Sequence, residues 1–190
     1  MAQLTEGRAA PKFALPDEHG KTVKLSDFAG KKLVLFFYPR ADTPGCTRES
    51  CDFRDEIDLF KKAKAAVVGV SRDTPAAQLK FKEKYQLPFP LLSDPDHKIH
   101  EAYGAWGEKN LYGKTTVGTI RTTAVIDEDG KILKVFPKVK VDGHAEKVLE
   151  SLNLDFDALF SPCWVPTGQR VAFVGIRAGK SDLYIVDGLK

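Results

Sequence analysis

Phe37-Tyr38-Pro39-Arg40-Ala41-Asp42-Thr43-Pro44-Gly45-Cys46-Thr47-Arg48-Glu49-Ser50-Cys51 is the stretch from which the rest of the chain is read. An apolar run, Leu33 to Tyr38, ends at a proline, and Thr43-Pro44 then gives a helix-start signal. Cys46 falls in the first helical turn, three positions after the Thr43 hydroxyl and five before Cys51. The N-terminus of a helix carries unpaired N–H groups and a partial positive charge, which favour a thiolate over a thiol. Cysteine elsewhere behaves as a small buried hydrophobe. Here the position suits an anion better than an apolar side chain.

Working outward, Leu33 to Phe37 is a continuous apolar run of strand length, as expected of a strand covered on both faces. Pro44 to Lys62 reads as one helix, because Cys46, Ser50, Phe53, Ile57 and Phe60 recur at steps of three and four. Ala65 to Val70 is a second buried strand, and Thr74-Pro75 opens a helix running to about Tyr85. Leu91-Leu92 reads as a short strand and Pro95 to Tyr103 as a third helix. Phe13 to Lys24 reads as a hairpin around Glu18-His19-Gly20, and Thr122 to Ile126 with Ile132 to Phe136 as another around Glu128-Asp129-Gly130. A last helix spans about His144 to Leu152. Two βα units followed by an antiparallel hairpin and a helix predict an α/β, thioredoxin-like fold, a central mixed sheet flanked by helices.

Pro39-x-x-x-Thr43-x-x-Cys46 resembles the active-site signature of peroxiredoxins, and the fuller string through Cys51-Asp52-Phe53-Arg54 is similar to their PrxQ branch, the bacterioferritin comigratory proteins. Agreement extends to Gly69-Val70-Ser71-x-Asp73, Phe89-Pro90-Leu91-Leu92-Ser93-Asp94, Tyr103-Gly104-x-Trp106-Gly107 and Arg121-Thr122-Thr123-x-x-x-Asp127. The likeness covers the chain to about Leu152 and implies a thiol-dependent peroxidase with an antioxidant role in cell redox homeostasis. Its substrates would be hydrogen peroxide and small organic hydroperoxides.

The resemblance makes Cys46 the nucleophile that attacks the O–O bond and becomes a sulfenic acid. An ordinary thiol of pKa ~8.5 is about 3% ionised at neutral pH, so full ionisation gains roughly thirtyfold at most. Positioning the peroxide and stabilising the departing oxygen must supply the rest. Arg121 matches the family arginine that faces the thiolate, Thr43 offers a hydroxyl to sulfur and peroxide, and Pro39 shields the sulfur from water. Thr43 could equally serve as a helix N-cap, and Glu49 reads equally as a partner for the arginine or as a solvated carboxylate.

Cys51 is, by the same resemblance, the resolving cysteine. Five residues of one α-helix separate two Cα atoms by roughly 8.7 Å, beyond the ~7 Å limit for a disulfide. A Cys46–Cys51 bond therefore requires the start of the helix to unwind. The resemblance adds recycling of that disulfide by thioredoxin or a similar dithiol reductant, without metal, haem or flavin.

Composition limits the other possibilities. The 29 basic and 26 acidic residues give a net charge of +3, too balanced and too scattered for a nucleic-acid surface. Neither a signal peptide nor an apolar run of membrane length is visible, so a cytoplasmic protein without membrane attachment is expected, as a monomer or weak homodimer. Three cysteines in 190 residues fit a reducing compartment. Cys46, Cys51, His97 and His100 miss the usual zinc spacings, and the two histidines read as surface residues. Trp106 and Phe81 read as packing residues. Two other readings compete: a protein dithiol–disulfide oxidoreductase, disfavoured by four intervening residues between the cysteines, and a non-enzymatic redox sensor or interaction protein.

Residues 1–153 thus form the expected catalytic domain and 154–190 a C-terminal extension. Ser161 to Phe173 and Asp182 to Asp187 read as two strands of a β-hairpin turning near Gly179, similar to a single TolB-type β-propeller repeat. One repeat cannot build a propeller. A hairpin packed on the main domain or on a second chain is expected, with a flexible tail as the alternative. Cys163 reads as a half-buried structural thiol.

Overall fold

The computed structural model describes residues 4–111, 114–152, 158–164, 170–177 and 180–187. The chain divides into two compact units, Met1–Leu152 and Asn153–Lys190. The first is built on a sheet of five strands: β3 (Lys32–Phe37), β4 (Ala65–Ser71), β5 (Leu91–Ser93), β8 (Thr122–Ile126) and β9 (Ile132–Phe136). Their order is β5-β4-β3-β8-β9, with β3, β4 and β5 parallel and β8 and β9 antiparallel to their neighbours. This is the mixed sheet of a thioredoxin-like α/β fold. A hairpin of β1 (Ala14–Pro16) and β2 (Thr22–Lys24) precedes it, as the turn residues predict.

β3 is buried along nearly its whole length, and its side chains alternate between two cores. Leu33, Leu35 and Phe37 join Val68, Val70, Leu92, Tyr103, Ala124 and Ile126 on one side. On the other side Phe36 stacks on Phe53 of α1 (Pro44–Asp55) at 4.7 Å, and Tyr38 meets Phe81 of α3 (Pro75–Tyr85) at 6.0 Å. Gly69 of β4 lies beneath this second cluster. A Cβ there would stand 2.9 Å from Leu91 and Phe36 and 3.1 Å from Tyr38, so any larger residue would have to displace these side chains.

Four expectations need correction. The helix predicted over Pro44–Lys62 is two: α1 ends at Asp55, Glu56 leaves helical geometry at φ −92°, ψ 6°, and α2 (Ile57–Lys62) restarts. The break lets Phe60 pack against Phe53 at 5.7 Å. The third predicted helix shrinks to α4 (Lys98–Ala102), because His97 sits at φ 50° and the Asp94 carboxylate accepts from the N–H groups of Ile99 and His100. Between α4 and β8 a hairpin, β6 (Trp106–Leu111) and β7 (Lys114–Thr119), was not expected. Its apolar residue Val117 is 63% exposed while the polar Thr119 is buried, so the exposure runs against the usual apolar-in pattern that marks a strand. In the second unit, β10 (Ala158–Trp164), β11 (Arg170–Arg177) and β12 (Lys180–Asp187) form a three-stranded antiparallel sheet in place of the two-stranded hairpin. The register shifts between Phe160 and Cys163, where Pro162 has no N–H to give to a ladder. The side chain of Cys163 lies outside the described residues.

α5 (His144–Ser151) closes the first unit and packs against α1. Among the described residues no helix is long and apolar enough to cross a membrane.

Candidate active site

The register of β3 on β8 brings the site together. Phe37 pairs with Thr122, so Arg121, one residue before Thr122, stands level with the chain leaving β3 at Tyr38 and Pro39. The backbone of Arg121 is held by the N–H of Val139 at 2.9 Å. Residues 39–43 then lead into α1, with Thr43 at the N-cap position, Pro44 and Gly45 next, and Cys46 third in the helix. Gly45 lies beside the guanidinium, and a Cβ on it would be in ordinary contact with Arg121 Nη2 at 3.4 Å.

Cys46 is 1% exposed, and Arg121 Nη2 donates to its Sγ at 3.3 Å. The other terminal nitrogen, Nη1, donates to Glu49 Oε2 across a buried ion pair. Of the two readings of Glu49, the arginine partner is the one found: the carboxylate is 1% exposed, one turn along α1 from Cys46. Burial pushes its pKa up to about 7 against the pull of Arg121. Its second oxygen, Oε1, is buried without a hydrogen-bond partner among the described residues. Burial opposes the charge on Arg121, but Glu49 and Cys46 outweigh it and hold the guanidinium firmly protonated.

Thr43 has the extended backbone of an N-cap, yet its side chain makes no cap bond. Its hydroxyl donates to the carbonyl of Arg40 at 2.9 Å, which leaves the oxygen able to accept. Pro39 is half-buried at the end of β3. Cys51 lies in the same unbroken helix as Cys46, partly exposed, and burial pushes its thiol pKa up. Both cysteines are free thiols.

A polar chain that the sequence reading gave no role runs beneath the loop. Tyr38 donates to Gln78, Gln78 Nε2 to Ser71 Oγ at 2.8 Å, and Ser71 Oγ to Asp73 Oδ2 at 2.7 Å. The same Asp73 oxygen accepts from Ala41 N–H at 2.7 Å and fixes the loop from inside. Ser71-x-Asp73 was part of the family string, but a carboxylate two residues past a strand carries no local sign of what it will bind.

His97 and His100 are not surface residues of an open helix. His100 is fully buried, its Nδ1 2.7 Å from Asp94 Oδ2 and its ring 5.0 Å from that of Phe37. His97 is half-buried and stacks on Trp106 at 4.2 Å, with Arg72 4.9 Å from the indole centroid. Phe81, 1% exposed, is the packing residue expected.

A free thiol buried at a helix N-terminus can form a nucleophile, and an arginine against it can stabilise an oxyanion departing from the atom that the sulfur attacks. Known proteins agree. The AhpC/TSA family matches residues 7–135. The peroxiredoxin Bcp of Escherichia coli is 47% identical over 153 residues, covering 80% of this chain and 98% of that one. Its Bacillus subtilis counterpart is 47% identical over 147 residues, covering 77% and 94%. The bacterioferritin comigratory protein of Xanthomonas campestris, solved in trapped intermediate and ligand complexes bearing on its alkyl peroxide reduction, superposes with a TM-score of 0.73 at 37% identity. That alignment covers 78% of this chain and 98% of the other. The chain is a peroxiredoxin of the AhpC/TSA family, and within that family it belongs to the Bcp/PrxQ subfamily. It is a thiol-dependent peroxidase. The likeness of the tail to a propeller repeat gains no support from these matches.

Proposed function

We propose that Cys46 reduces hydrogen peroxide and small organic hydroperoxides by a two-cysteine cycle with Cys51. The Cys46 thiolate attacks the nearer peroxide oxygen, the O–O bond breaks, and the sulfur becomes a sulfenic acid while the other oxygen departs as hydroxide or alkoxide and takes a proton from solvent. Arg121 Nη2, 3.3 Å from Sγ, is the observation that carries this reading. A guanidinium fixed there by Glu49 stabilises first the sulfur anion and then the charge on the leaving oxygen. Thr43 accepts a hydrogen bond from the peroxide O–H while donating to Arg40, and Pro39 limits access of water to the sulfur.

Cys51 then condenses with the sulfenic acid, and thioredoxin or a similar dithiol protein reduces the disulfide. Alkyl peroxide reduction by the Xanthomonas relative supports organic hydroperoxides as substrates. The enzyme works in the cytoplasm as a monomer or weak homodimer. Residues 1–153 carry the catalysis, and 154–190 form an extension dispensable for chemistry.

Steady-state turnover tests the reading: the purified chain is given peroxide with thioredoxin, thioredoxin reductase and NADPH. Sustained NADPH consumption with hydrogen peroxide and with an alkyl hydroperoxide is expected. A single stoichiometric oxidation that then stops would make the protein a sensor instead.

A further inference from the structure

Tyr85, the last residue of α3, touches α1 and its approach at two points that bracket both cysteines. Its hydroxyl donates to Asp42 Oδ1 at 2.6 Å, one residue before the N-cap Thr43. Its backbone carbonyl accepts from Arg54 Nη1 at 2.8 Å, three residues after Cys51. Lys84 adds a fork from Nζ to both Asp42 oxygens, at 2.9 and 2.8 Å. Asp42 sits at φ 56°, in the left-handed region that only a few residue types enter readily. These bonds hold it there while Asp73 holds Ala41 from the other side. The entry into α1 is pinned from two directions.

As long as α1 stays wound, Cys46 and Cys51 cannot join, since helical geometry keeps their Cα atoms roughly 8.7 Å apart. The helix must open from one end. Opening at the Cys46 end loosens Asp42 from Lys84 and Tyr85, whereas opening at the Cys51 end loosens Arg54 from Tyr85.

We propose that Lys84 and Tyr85 form a latch on Asp42 that keeps the Cys46 end of α1 wound, and that release of this latch sets how fast Cys51 resolves the Cys46 sulfenic acid. The proposal rests on the reading of Cys51 as the resolving thiol. In that step the Cys51 sulfur bonds to the Cys46 sulfur, the S–O bond of the sulfenic acid breaks, and the oxygen leaves as water with the thiol proton. The competing fate is attack on a second peroxide molecule, which oxidises the sulfenic acid to sulfinic acid and is itself reduced to water or alcohol. Only the unwound form reaches Cys51, while the wound form keeps the sulfur beside Arg121. The latch therefore governs the partition between disulfide and sulfinate. Lys84 and Tyr85 are positioning residues and take no part in the bond making.

Tyr85→Phe removes the hydroxyl but keeps the ring against Phe81, 5.3 Å away, and the carbonyl that Arg54 uses. Lys84→Met removes the fork, and Arg54→Met frees the opposite end. Each variant is mixed rapidly with hydrogen peroxide, and disulfide and sulfinate are read from intact-protein mass. The Lys84 and Asp42 side chains are 57% and 47% exposed, so the effect is modest. Disulfide formation in Tyr85→Phe and Lys84→Met should quicken roughly two- to tenfold, the scale of one or two net hydrogen bonds. The sulfinate-to-disulfide ratio at high peroxide should fall by the same factor, with Arg54→Met unchanged in both. Unchanged rates in the first two variants, or acceleration in Arg54→Met alone, would overturn the latch while leaving Cys51 as the resolving residue. Absence of any Cys46–Cys51 disulfide in the unmodified chain would overturn that reading and the latch with it.

Discussion

Arg121 and Glu49 are 72 residues apart in the chain and share a buried ion pair, so that one guanidinium bridges the carboxylate of α1 and the sulfur of Cys46. The helix and the strand edge are joined through charge as well as packing.

The state of Glu49 should appear in the pH profile of the peroxide reaction. Its pKa is raised to about 7 by burial, so it carries a proton below that pH and a charge above it. Glu49→Gln imitates the protonated form at every pH. The variant and the unmodified enzyme should react alike in acid and diverge above about pH 7. Stopped-flow rates between pH 5.5 and pH 8.5, a window of roughly 1.5 units either side of that value, make the comparison. An inflection near pH 7 that survives in the variant would assign it to another group.

Cys46→Ser should abolish peroxide consumption, because a hydroxyl is not ionised at neutral pH. Cys51→Ser should retain one stoichiometric turnover, seen as a gain of one oxygen in intact mass, and lose cycling with thioredoxin. Normal steady-state turnover in the Cys46 variant would defeat the assignment.

Oxidation should loosen the helix. Both cysteines lie in the unbroken stretch Pro44–Asp55, so the disulfide form cannot keep it wound. Amides from Cys46 to Phe53 should exchange faster in the oxidised protein than in the reduced one, by hydrogen–deuterium exchange. Equal protection in both would mean that the bond forms without the helix opening.

His144 predicts an acid-side loss of stability. Burial, with Lys147 and Arg121 nearby, lowers its pKa from 6.5 to about 4, and its ring is 2.8 Å from Thr123 Oγ1. Between those two values the unfolded chain binds a proton that the folded one refuses. Its contribution is intact above about pH 6.5 and declines as pH falls toward 4, by up to about 3 kcal/mol. Urea denaturation of His144→Gln should show a correspondingly smaller drop between pH 6.5 and pH 4. Parallel pH dependence in both proteins would remove His144 as the cause.

A chain ended after Asn153 should keep its peroxidase activity while losing stability or self-association. The outer strands of a three-stranded sheet, each paired on one side among the described residues, are a natural pairing surface. A truncated protein that stayed folded but inactive would make the extension part of the catalytic apparatus.

Much of the catalytic unit was legible because its signals are local. The run at Leu33–Phe37, the Thr43-Pro44 start and the hairpin at Glu128-Asp129-Gly130 each announce an element within a few residues. The place of Cys46 was legible for the same reason, since the Thr43-Pro44 start sets it in the first turn of α1. Glu49 was undecided, because its meaning depends on a strand edge 72 residues away. His100 was misread because what buries it, the ring of Phe37 at the end of β3 and the carboxylate of Asp94 just after β5, lies outside its own helix. Asp73 and Tyr85 gave no local sign of their bonds to Ala41 and Asp42, which lie 32 and 43 residues away in the chain.

The crowding around Gly69 has one more consequence. The place a methyl group would occupy is already taken up by Phe36, Leu91 and Tyr38, and Tyr38 is joined by a single peptide bond to Pro39. The sheet and the chain that leaves β3 toward α1 are thus in contact through one side chain. A larger residue at this place in β4 would press on Tyr38, from which the chain leads on through Pro39 toward α1.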